Sequence, residues 1–485
     1  MPQPAAPRRP SLAASAGPAW TVADLALATG GRLLGPADAT VAGIGTDSRA
    51  LTAGQAFVAL MGERFDGHAF LPAALEHGAG ALVVSRLPDP LPPVPVVLVE
   101  DTLTALGDLA AWHRRCHPSC CVLAVTGSAG KTTVKEMTAA ILSQRWRILK
   151  TEGNRNNLIG LPLTLLGLTA RHRAAVLEMG MNRPGEIARL AAIADPALGC
   201  ITNVQPVHLE GLGDLAGVAR AKEELFANLR PAARLVVNLD DPLVRVMARR
   251  YPQAQLTFGL RRGALIRATR IRSLGRDGVA FTLDLPDGRV RVRLAALGRH
   301  NVTNALAAAA LAHGAGCSPE QVATGLAAFR PHSQRLEIRT LADGRLLMVD
   351  CYNAAPGSMA AALATVAELA AGRRAVAILG DMLELGPAAA AAHRQLGEQV
   401  AAHGFAGLLA CGQFAETVVA GARAGGLKPD EAKAMAGKEA IVAELAAWTA
   451  AGRLAAGDWL LVKGSRGMRM ETIVTALTQG SGEGR

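Results

Sequence analysis

Short apolar runs and helical periodicities alternate along most of this chain. The first clear run, residues 121–125, predicts a buried parallel strand because it is apolar at every position. The apolar residues after it recur at helical spacing: Val134, Met137, Ile141 and Leu142. Repetition of strand, turn and helix from this point predicts an α/β fold with a doubly wound parallel sheet.

The later pattern divides into two parts. Further strand candidates lie at residues 174–177, 198–204 and 235–239, whereas residues 265–295 alternate in short pieces and predict a small antiparallel β insert. The α/β alternation restarts near residue 333 and predicts a third α/β unit, with apolar runs at residues 346–349, 375–379, 407–410 and 459–462.

The segment before residue 117 has a pattern of its own. Two strand-like runs, a proline-dense loop and a helix over residues 101–115 predict a small α/β domain. We therefore predict three domains, at residues 19–116, 117–331 and 332–485. The Ala- and Pro-rich residues 1–18 are predicted to be a disordered tail.

Composition supports a globular protein. Hydrophobic residues make up 50% and aromatic residues only 3%, so Ala, Leu and Val must build the cores. No apolar run approaches the ~18 residues of a membrane span, and the tail lacks the apolar segment of a signal peptide. We expect a cytoplasmic protein without a membrane span.

The formal net charge of +11 leaves two interpretations open. One is nucleic-acid binding, and the other is an arginine-rich protein that acts on anionic small molecules. Basic pairs such as Arg249-Arg250 and Arg261-Arg262 are short, scattered and not interleaved with aromatic residues. This favours the small-molecule interpretation.

Seven cysteines, an odd number without framework spacing, are typical of a reducing compartment. Cys116, His117, Cys120 and Cys121 cluster closely enough to suggest zinc. However, Cys121 opens the apolar run and no second ligand pair lies nearby, so a structural role is favoured.

Residues 126–133 form the strongest motif, TGSAGKTT, between the apolar run and the predicted helix. Glycines allow a tight turn whose N–H groups face phosphate oxygens, at the favourable end of a helix dipole. Lys131 can reach the β- and γ-phosphates, and Thr132 can hold magnesium. Only two residues separate Gly127 from Gly130, fewer than in the general phosphate loop. The predicted ATP-binding residues here are Gly127, Ser128, Ala129, Gly130, Lys131, Thr132 and Thr133.

The extended motif TGSAGKTTVKEM closely resembles that of the Mur ligase family, and the resemblance runs from about Thr46 to the end of the chain. It implies a UDP-substrate domain, a central ATPase domain and a Rossmann-like C-terminal domain. Within the family the loop looks most like that of the members that join D-alanyl-D-alanine to UDP-N-acetylmuramoyl-tripeptide. These proceed through an acyl phosphate and a tetrahedral intermediate. The resemblance thus implies ATP and magnesium as cofactors, small-molecule substrates, no nucleic acid and a monomer.

The resemblance also implies a metal site. Glu178 and His208 follow predicted strands and match the family's magnesium ligands, with Thr132 as a further ligand. Lys222 matches a lysine that the family carbamylates, although its surroundings alone indicate a solvated helix face. The implied catalytic residues are Lys131, Lys222, His208 and Arg335.

Further matches concern the nucleotide and the other substrates. Asn301 and Asn304 match adenine contacts, Arg335 a phosphate clamp, and Asp350 a ribose contact. Two positions depart from the family pattern: Gln334 replaces a usual glycine and Ala355 a frequent asparagine. The implied substrate-binding residues are Ser48, Arg49, Asn154, Asn156, Asn157 and Asn353.

Three other functions were weighed. A sister ligase that adds a diamino acid would carry a DNPR-like motif in the C-terminal domain, and none is found there. A folylpolyglutamate synthetase lacks the extra N-terminal module. A basic phosphate-loop protein that binds nucleic acid would show steep salt dependence.

Overall fold

The computed structural model describes residues 20–62, 65–331 and 334–479. Three sheets follow one another along the chain, which confirms the predicted α/β fold class. The predicted tail at residues 1–18 lies outside the described residues. Within the described ranges, no helix combines the length and apolar composition that crossing a membrane requires.

The first sheet has five short strands in the order β2-β7-β6-β5-β4, and β1 pairs separately with β3. Its buried residues, such as Val83 and Val97, pack against α1 and α3. The strands are β1 (Trp20–Thr21), β2 (Arg32–Leu34), β3 (Thr40–Val41), β4 (Ile44–Gly45), β5 (Ala56–Val58), β6 (Ala81–Val84) and β7 (Val96–Leu98). The helices are α1 (Val22–Thr29), α2 (Leu71–Glu76) and α3 (Thr102–Arg115).

The central sheet has nine strands in the order β16-β15-β14-β13-β12-β11-β8-β10-β9. Its strands are β8 (Cys121–Thr126), β9 (Ile148–Lys150), β10 (Ala174–Glu178), β11 (Leu198–Ile201), β12 (Arg234–Asn238), β13 (Gln255–Gly259), β14 (Ile266–Ser273), β15 (Val279–Leu285) and β16 (Gly288–Leu294). Its helices are α4 (Lys131–Leu142), α5 (Gly160–Leu165), α6 (Glu186–Ala194), α7 (Leu209–Leu212), α8 (Leu215–Ala227), α9 (Pro242–Ala248), α10 (His300–Gly314) and α11 (Pro319–Ala328).

Two details of this sheet differ from the sequence prediction. The antiparallel strands β14 to β16 are not a separate insert, because β14 pairs in parallel with β13 and extends the main sheet. The strand predicted at residues 198–204 extends only to Ile201. The chain leaves the strand at Thr202, at the carboxyl edge where loops of a parallel sheet bind ligands.

The third sheet has the order β17-β18-β22-β19-β20-β21, with only β17 antiparallel. Its strands are β17 (Glu337–Thr340), β18 (Leu346–Asp350), β19 (Ala375–Leu379), β20 (Gly407–Cys411), β21 (Ala432–Met435) and β22 (Trp459–Lys463). Its helices are α12 (Pro356–Ala370), α13 (Ala389–Ala402), α14 (Ala415–Ala424), α15 (Lys438–Ala450) and α16 (Glu471–Gln479).

Candidate active site

The phosphate loop connects β8 to α4 at the carboxyl edge of the central sheet. Gly127 and Gly130 have φ angles of 145° and 85°, which L side chains rarely adopt. A Cβ at Gly130 would lie 2.4 Å from Oδ1 of Asn304, and one at Gly127 would lie 1.9 Å from Oγ1 of Thr202. Glycine is therefore needed at both positions for the loop to close against its neighbours.

A second loop, at residues 202–205, supports the phosphate loop. The N–H of Ala129 donates to Oδ1 of Asn203 over 2.9 Å, and Oγ1 of Thr202 donates to the carbonyl of Ala129 over 2.6 Å. The N–H of Gln205 donates to Oγ of Ser128 over 2.8 Å. Sequence reasoning missed this support, although its position after a strand adjacent to β8 was an available signal.

Lys131 begins α4 and curls back over the loop. Its Nζ donates to the carbonyl of Gly127 over 2.8 Å. Burial lowers the pKa of this ammonium; Glu178 acts in the opposite direction, and Arg335 lowers it further. The lysine, the carboxylate and the arginine therefore share one electrostatic environment, although they come from distant parts of the chain.

Glu178 ends β10 and is buried. Its Oε1 accepts a hydrogen bond from Nδ2 of Asn156 over 2.9 Å, whereas Oε2 is buried and has no partner in the described part of the chain. An unpartnered buried carboxylate oxygen is costly unless a cation meets it. This oxygen therefore fits the predicted magnesium site.

Lys222 lies on α8 and is 1% exposed, so the predicted alternative of a solvated helix face is wrong. Burial lowers the pKa of its amine well below the usual range, and the positive charge of Lys131 lowers it further. Both effects disfavour the charged form of this amine, and an anionic form at this position would have the cationic Lys131 as a neighbour.

His208 is held by a different partner from the one that the metal prediction requires. Its Nδ1 lies 2.5 Å from Oε2 of Glu384 in the third domain, and it makes no hydrogen bond with Glu178 or Thr132 in the described ranges. The N–H of Leu209 also donates to the carbonyl of Glu384 over 2.9 Å. The backbone of His208 has a φ of 54°, which turns the chain sharply at this contact.

The two predicted adenine contacts differ in availability. The side chain of Asn301 is buried, and its Nδ2 donates to the carbonyl of Leu297 over 2.7 Å. Its Oδ1 accepts from Nδ2 of Asn304 over 2.9 Å. Asn301 therefore orients Asn304, and it is Asn304 that lies against the phosphate loop.

Arg335 reaches the site from the third domain. Its Nη2 donates to Oγ1 of Thr132 over 3.2 Å, and its guanidinium lies 4.1 Å from the ring centre of Tyr352. Asp350, at the end of β18, accepts from Nζ of Lys463 over 2.5 Å. A planar guanidinium fixed in this way suits two-pronged contact with a phosphate.

Comparisons with known proteins match this chain over most of its length. The family descriptions that match are the Mur ligase family catalytic domain at residues 40–114, the Mur ligase middle domain at 125–312 and the Mur ligase glutamate ligase domain at 334–466. UDP-N-acetylmuramoyl-tripeptide--D-alanyl-D-alanine ligase of Escherichia coli K12 is 40% identical over 95% of this chain and 98% of that relative. This chain belongs to the Mur ligase family.

Solved structures of Mur ligases share the fold. MurF from Acinetobacter baumannii has a TM-score of 0.87 at 34% identity, covering 95% of this chain and 99% of that one. MurF ligase from Thermotoga maritima in complex with ADP has a TM-score of 0.78 at 28% identity, covering 90% and 97%.

The two departures from the Mur ligase pattern are accommodated locally. Gln334 keeps a glycine-like backbone, with φ of 64°, and its Oε1 accepts from Nη1 of Arg466 over 3.1 Å. At Ala355, where asparagine is frequent, the N–H donates to Oγ of Ser358 over 3.0 Å. Gln334 therefore keeps a backbone conformation that favours glycine and its added side chain has a partner, and the N–H of Ala355 is bonded without an asparagine side chain.

The remaining predicted site residues range from buried to exposed, and one of them caps its own turn. Arg49 is exposed and pairs with Asp47 over 2.8 Å, which lowers the pKa of that carboxyl to about 2, whereas Ser48 is buried. Asn157 caps the start of α5 through the N–H of Gly160 over 2.9 Å. Of the other predicted site residues, Asn154 and Asn353 are exposed and Thr133 is partly buried.

The cysteines and histidine of the candidate zinc cluster, residues 116–121, lie in environments that do not favour a metal. Nδ1 of His117 lies 2.9 Å from the carbonyl oxygen of His113, and burial raises the pKa of the Cys120 thiol to about 11. Because zinc binds the thiolate, this environment disfavours it. Among the described residues, no group of three His, Cys, Asp or Glu side chains is placed to hold a metal.

Proposed function

We propose that this chain is an ATP-dependent ligase that joins D-alanyl-D-alanine to UDP-N-acetylmuramoyl-tripeptide in the synthesis of peptidoglycan precursors. The observation that carries the proposal is the phosphate loop beside the buried carboxylate of Glu178, in a chain aligned end to end with relatives of that name.

The nucleotide phosphates would lie on residues 127–133, with Lys131 at the β- and γ-phosphates. Arg335 would clamp the γ-phosphate, Asn304 would meet the base with Asn301 behind it, and Asp350 would meet the ribose. The short distance between Arg335 and Thr132 supports this grouping, since it unites two domains at the end of the loop.

The metal site would use Glu178, Thr132 and His208, with phosphate oxygens completing the coordination. When bound, magnesium would screen the negative charge that accumulates during phosphoryl transfer. His208 would first have to exchange Glu384 for the metal. Lys222 would react as its uncharged amine with carbon dioxide, losing a proton and becoming a carbamate that supports the site.

Two steps would form the amide. The terminal carboxylate of the tripeptide attacks the γ-phosphorus of ATP, which gives an acyl phosphate and releases ADP. The amine of D-alanyl-D-alanine then attacks the acyl carbon, and the tetrahedral intermediate loses inorganic phosphate. Positioning by the chain and exclusion of water dominate the catalysis, because water would hydrolyse the acyl phosphate.

The wider assignments follow the same proposal. Residues 19–116 would bind the UDP-sugar through Ser48 and Arg49, residues 117–331 the ATP, and residues 332–485 the acceptor together with Asn353. Asn154, Asn156 and Asn157 would face the muramoyl peptide. We propose a cytoplasmic monomer.

Release of phosphate from ATP, measured with each substrate omitted in turn, tests the proposal. We expect full activity only when UDP-tripeptide and D-alanyl-D-alanine are both present, and a loss of at least ~1000-fold for Lys131→Ala. Phosphate release that needs neither substrate, or a fully active Lys131→Ala enzyme, would contradict the assignment.

A further inference from the structure

Lys135 is a buried lysine that none of the roles above uses. It lies one helical turn after Lys131 on α4 and is 1% exposed. Its Nζ donates to the carbonyl of Thr151 over 2.7 Å and lies 2.8 Å from Oε1 of Glu136. A cation is costly to bury, so contacts that fix it in place indicate a specific task.

Its partner Thr151 begins the loop that reaches the buried carboxylate. Oγ1 of Thr151 accepts from the N–H of Glu178 over 3.0 Å, and Asn156, five residues later, donates to Oε1 of Glu178 over 2.9 Å. The N–H of Gly180 donates to the carbonyl of Asn156 over 2.8 Å, so the loop is attached on both sides of Glu178.

We propose that Lys135 is a positioning residue for the ligase reaction. It fixes the loop at residues 151–157 to the helix that carries Lys131, and the loop in turn fixes the carboxylate of Glu178 beside the phosphates. Lys135 acts through the carbonyl of Thr151 and not on the substrate. The inference rests on the proposed function, since it concerns the same site.

Lys150 provides a matched control. It pairs with the same glutamate, Glu136, over 2.7 Å, but its side chain is about one-third exposed and bonds nothing else in the described ranges. If the charge network around Glu136 were what mattered, Lys135→Met and Lys150→Met would have similar effects.

The experiment compares kcat, KM for each substrate and the Mg²⁺ concentration for half-maximal rate. For Lys135→Met we expect a fall in kcat of at least ~10-fold and a rise in the Mg²⁺ requirement of ~3-fold or more, because Glu178 loses its fixed position. KM for ATP should stay within ~2-fold, because the phosphate loop is unchanged. Lys150→Met should stay within ~2-fold of wild type in every constant.

Thr151→Val, which removes the hydroxyl that meets Glu178, completes a double-mutant cycle. The fall in kcat of the double variant should be smaller than the product of the two single-variant falls, because both substitutions act through one loop. Multiplicative losses, an unchanged Mg²⁺ requirement or a fully active Lys135→Met would overturn the inference. Thr151→Val alone carries the test if Lys135→Met does not fold, and an unchanged Mg²⁺ requirement then overturns it.

Wild-type enzyme separates this test from that of the proposed function. If wild type forms no amide from UDP-tripeptide and D-alanyl-D-alanine, the proposed function fails, and the positioning role fails with it. If wild type is active and the Lys135 variants equal it, only the positioning role fails.

Discussion

The central domain meets its two neighbours through contacts of different character. At the N-terminal joint, α3 packs on the central domain through apolar side chains, with Leu109 in one cluster with Leu163 and Ala110 in another with Leu161 and Leu165. The imidazole of His113 is buried there, with its Nε2 3.0 Å from the carbonyl oxygen of Leu168.

The C-terminal joint at the active site is polar and partly exposed. Arg335 meets Thr132 over 3.2 Å, and His208 meets Glu384 in a pair whose side chains are 28% and 55% exposed. Exposed ion pairs contribute only about 0–1 kcal/mol each, whereas buried apolar area contributes in proportion to its extent.

This difference implies that the two joints have different tasks. The N-terminal joint is continuous with the core and should persist, whereas the polar contacts of the C-terminal joint at the active site should separate at smaller cost. Under the proposed function, Arg335 from the C-terminal domain would complete the active site when this joint closes. Substitutions at the C-terminal joint should therefore alter turnover, and those at the N-terminal joint should alter stability.

Arg335→Ala should have the largest effect. Removing the guanidinium that reaches the phosphate loop should lower kcat by about 1000-fold, or about 4 kcal/mol in activation free energy. Thermal stability should be almost unchanged, because the contact with Thr132 is single and partly exposed. Steady-state kinetics and calorimetry measure the two quantities.

Arg339→Ala is the control for Arg335→Ala. Arg339 follows on β17 and pairs over 2.8 Å with Glu337 within the C-terminal domain, and its side chain bonds no residue of the phosphate loop in the described ranges. It should retain kcat within ~3-fold. A loss of less than 10-fold in Arg335→Ala would mean that the C-terminal joint does not complete the active site.

The sequence predicted the regular elements well because their cause is local. Residues 174–177 and 375–379 are apolar throughout, and both form buried strands at those positions. The strand predicted at residues 198–204 was too long. Its last residues, including Asn203, bond the phosphate loop and leave the sheet.

Side-chain partners distant in the chain could not be predicted in the same way. The sequence predicted Glu178, Lys222 and Arg335 as site residues. It did not indicate that the carboxylate of Glu384, 176 positions later in the chain, contacts the imidazole of His208. Lys135 was part of the quoted motif without a role, because its partner is the backbone carbonyl of Thr151, which carries no sequence signal.

Titration of His113 probes the N-terminal joint. Burial lowers its pKa from 6.5 to about 4, so between these values the unfolded chain binds a proton that the folded protein does not. The free energy of unfolding should therefore fall by about 3 kcal/mol as the pH drops from 6.5 to 4, and this term should be constant above and below that window.

His113→Gln keeps a donor for the carbonyl of Leu168 but removes the titration. Denaturant unfolding at several pH values should give a flatter profile for this variant, with kcat at pH 8 within ~2-fold of wild type. The exposed His77 serves as control, and His77→Gln should reproduce the wild-type slope. Parallel profiles for His113→Gln and wild type would mean that folding does not lower the pKa of His113.

Glu384→Gln should have the smallest effect and tests the C-terminal joint without touching Arg335. Loss of the charged partner of His208 should cost about 0.5–1 kcal/mol, because the pair is partly exposed. The population of molecules in which the central and C-terminal domains have separated, the open form, should therefore increase by about 2–5-fold. Energy transfer between dyes on the two domains measures this population. Glu398→Gln, in an exposed pair with Arg394 on α13, should leave the distribution unchanged.

Mg²⁺ binding by Glu384→Gln shows whether Glu384 affects the metal site, the domain joint or both. If His208 exchanges Glu384 for magnesium, Glu384→Gln should bind Mg²⁺ about 2–5-fold more tightly, because a competing partner is weakened. An increase in the open form without tighter Mg²⁺ binding would assign Glu384 to the joint alone. Tighter binding without opening would assign it to the metal site alone. Both changes together would mean that one histidine links domain closure to the metal, so the two joints differ in function as well as in strength.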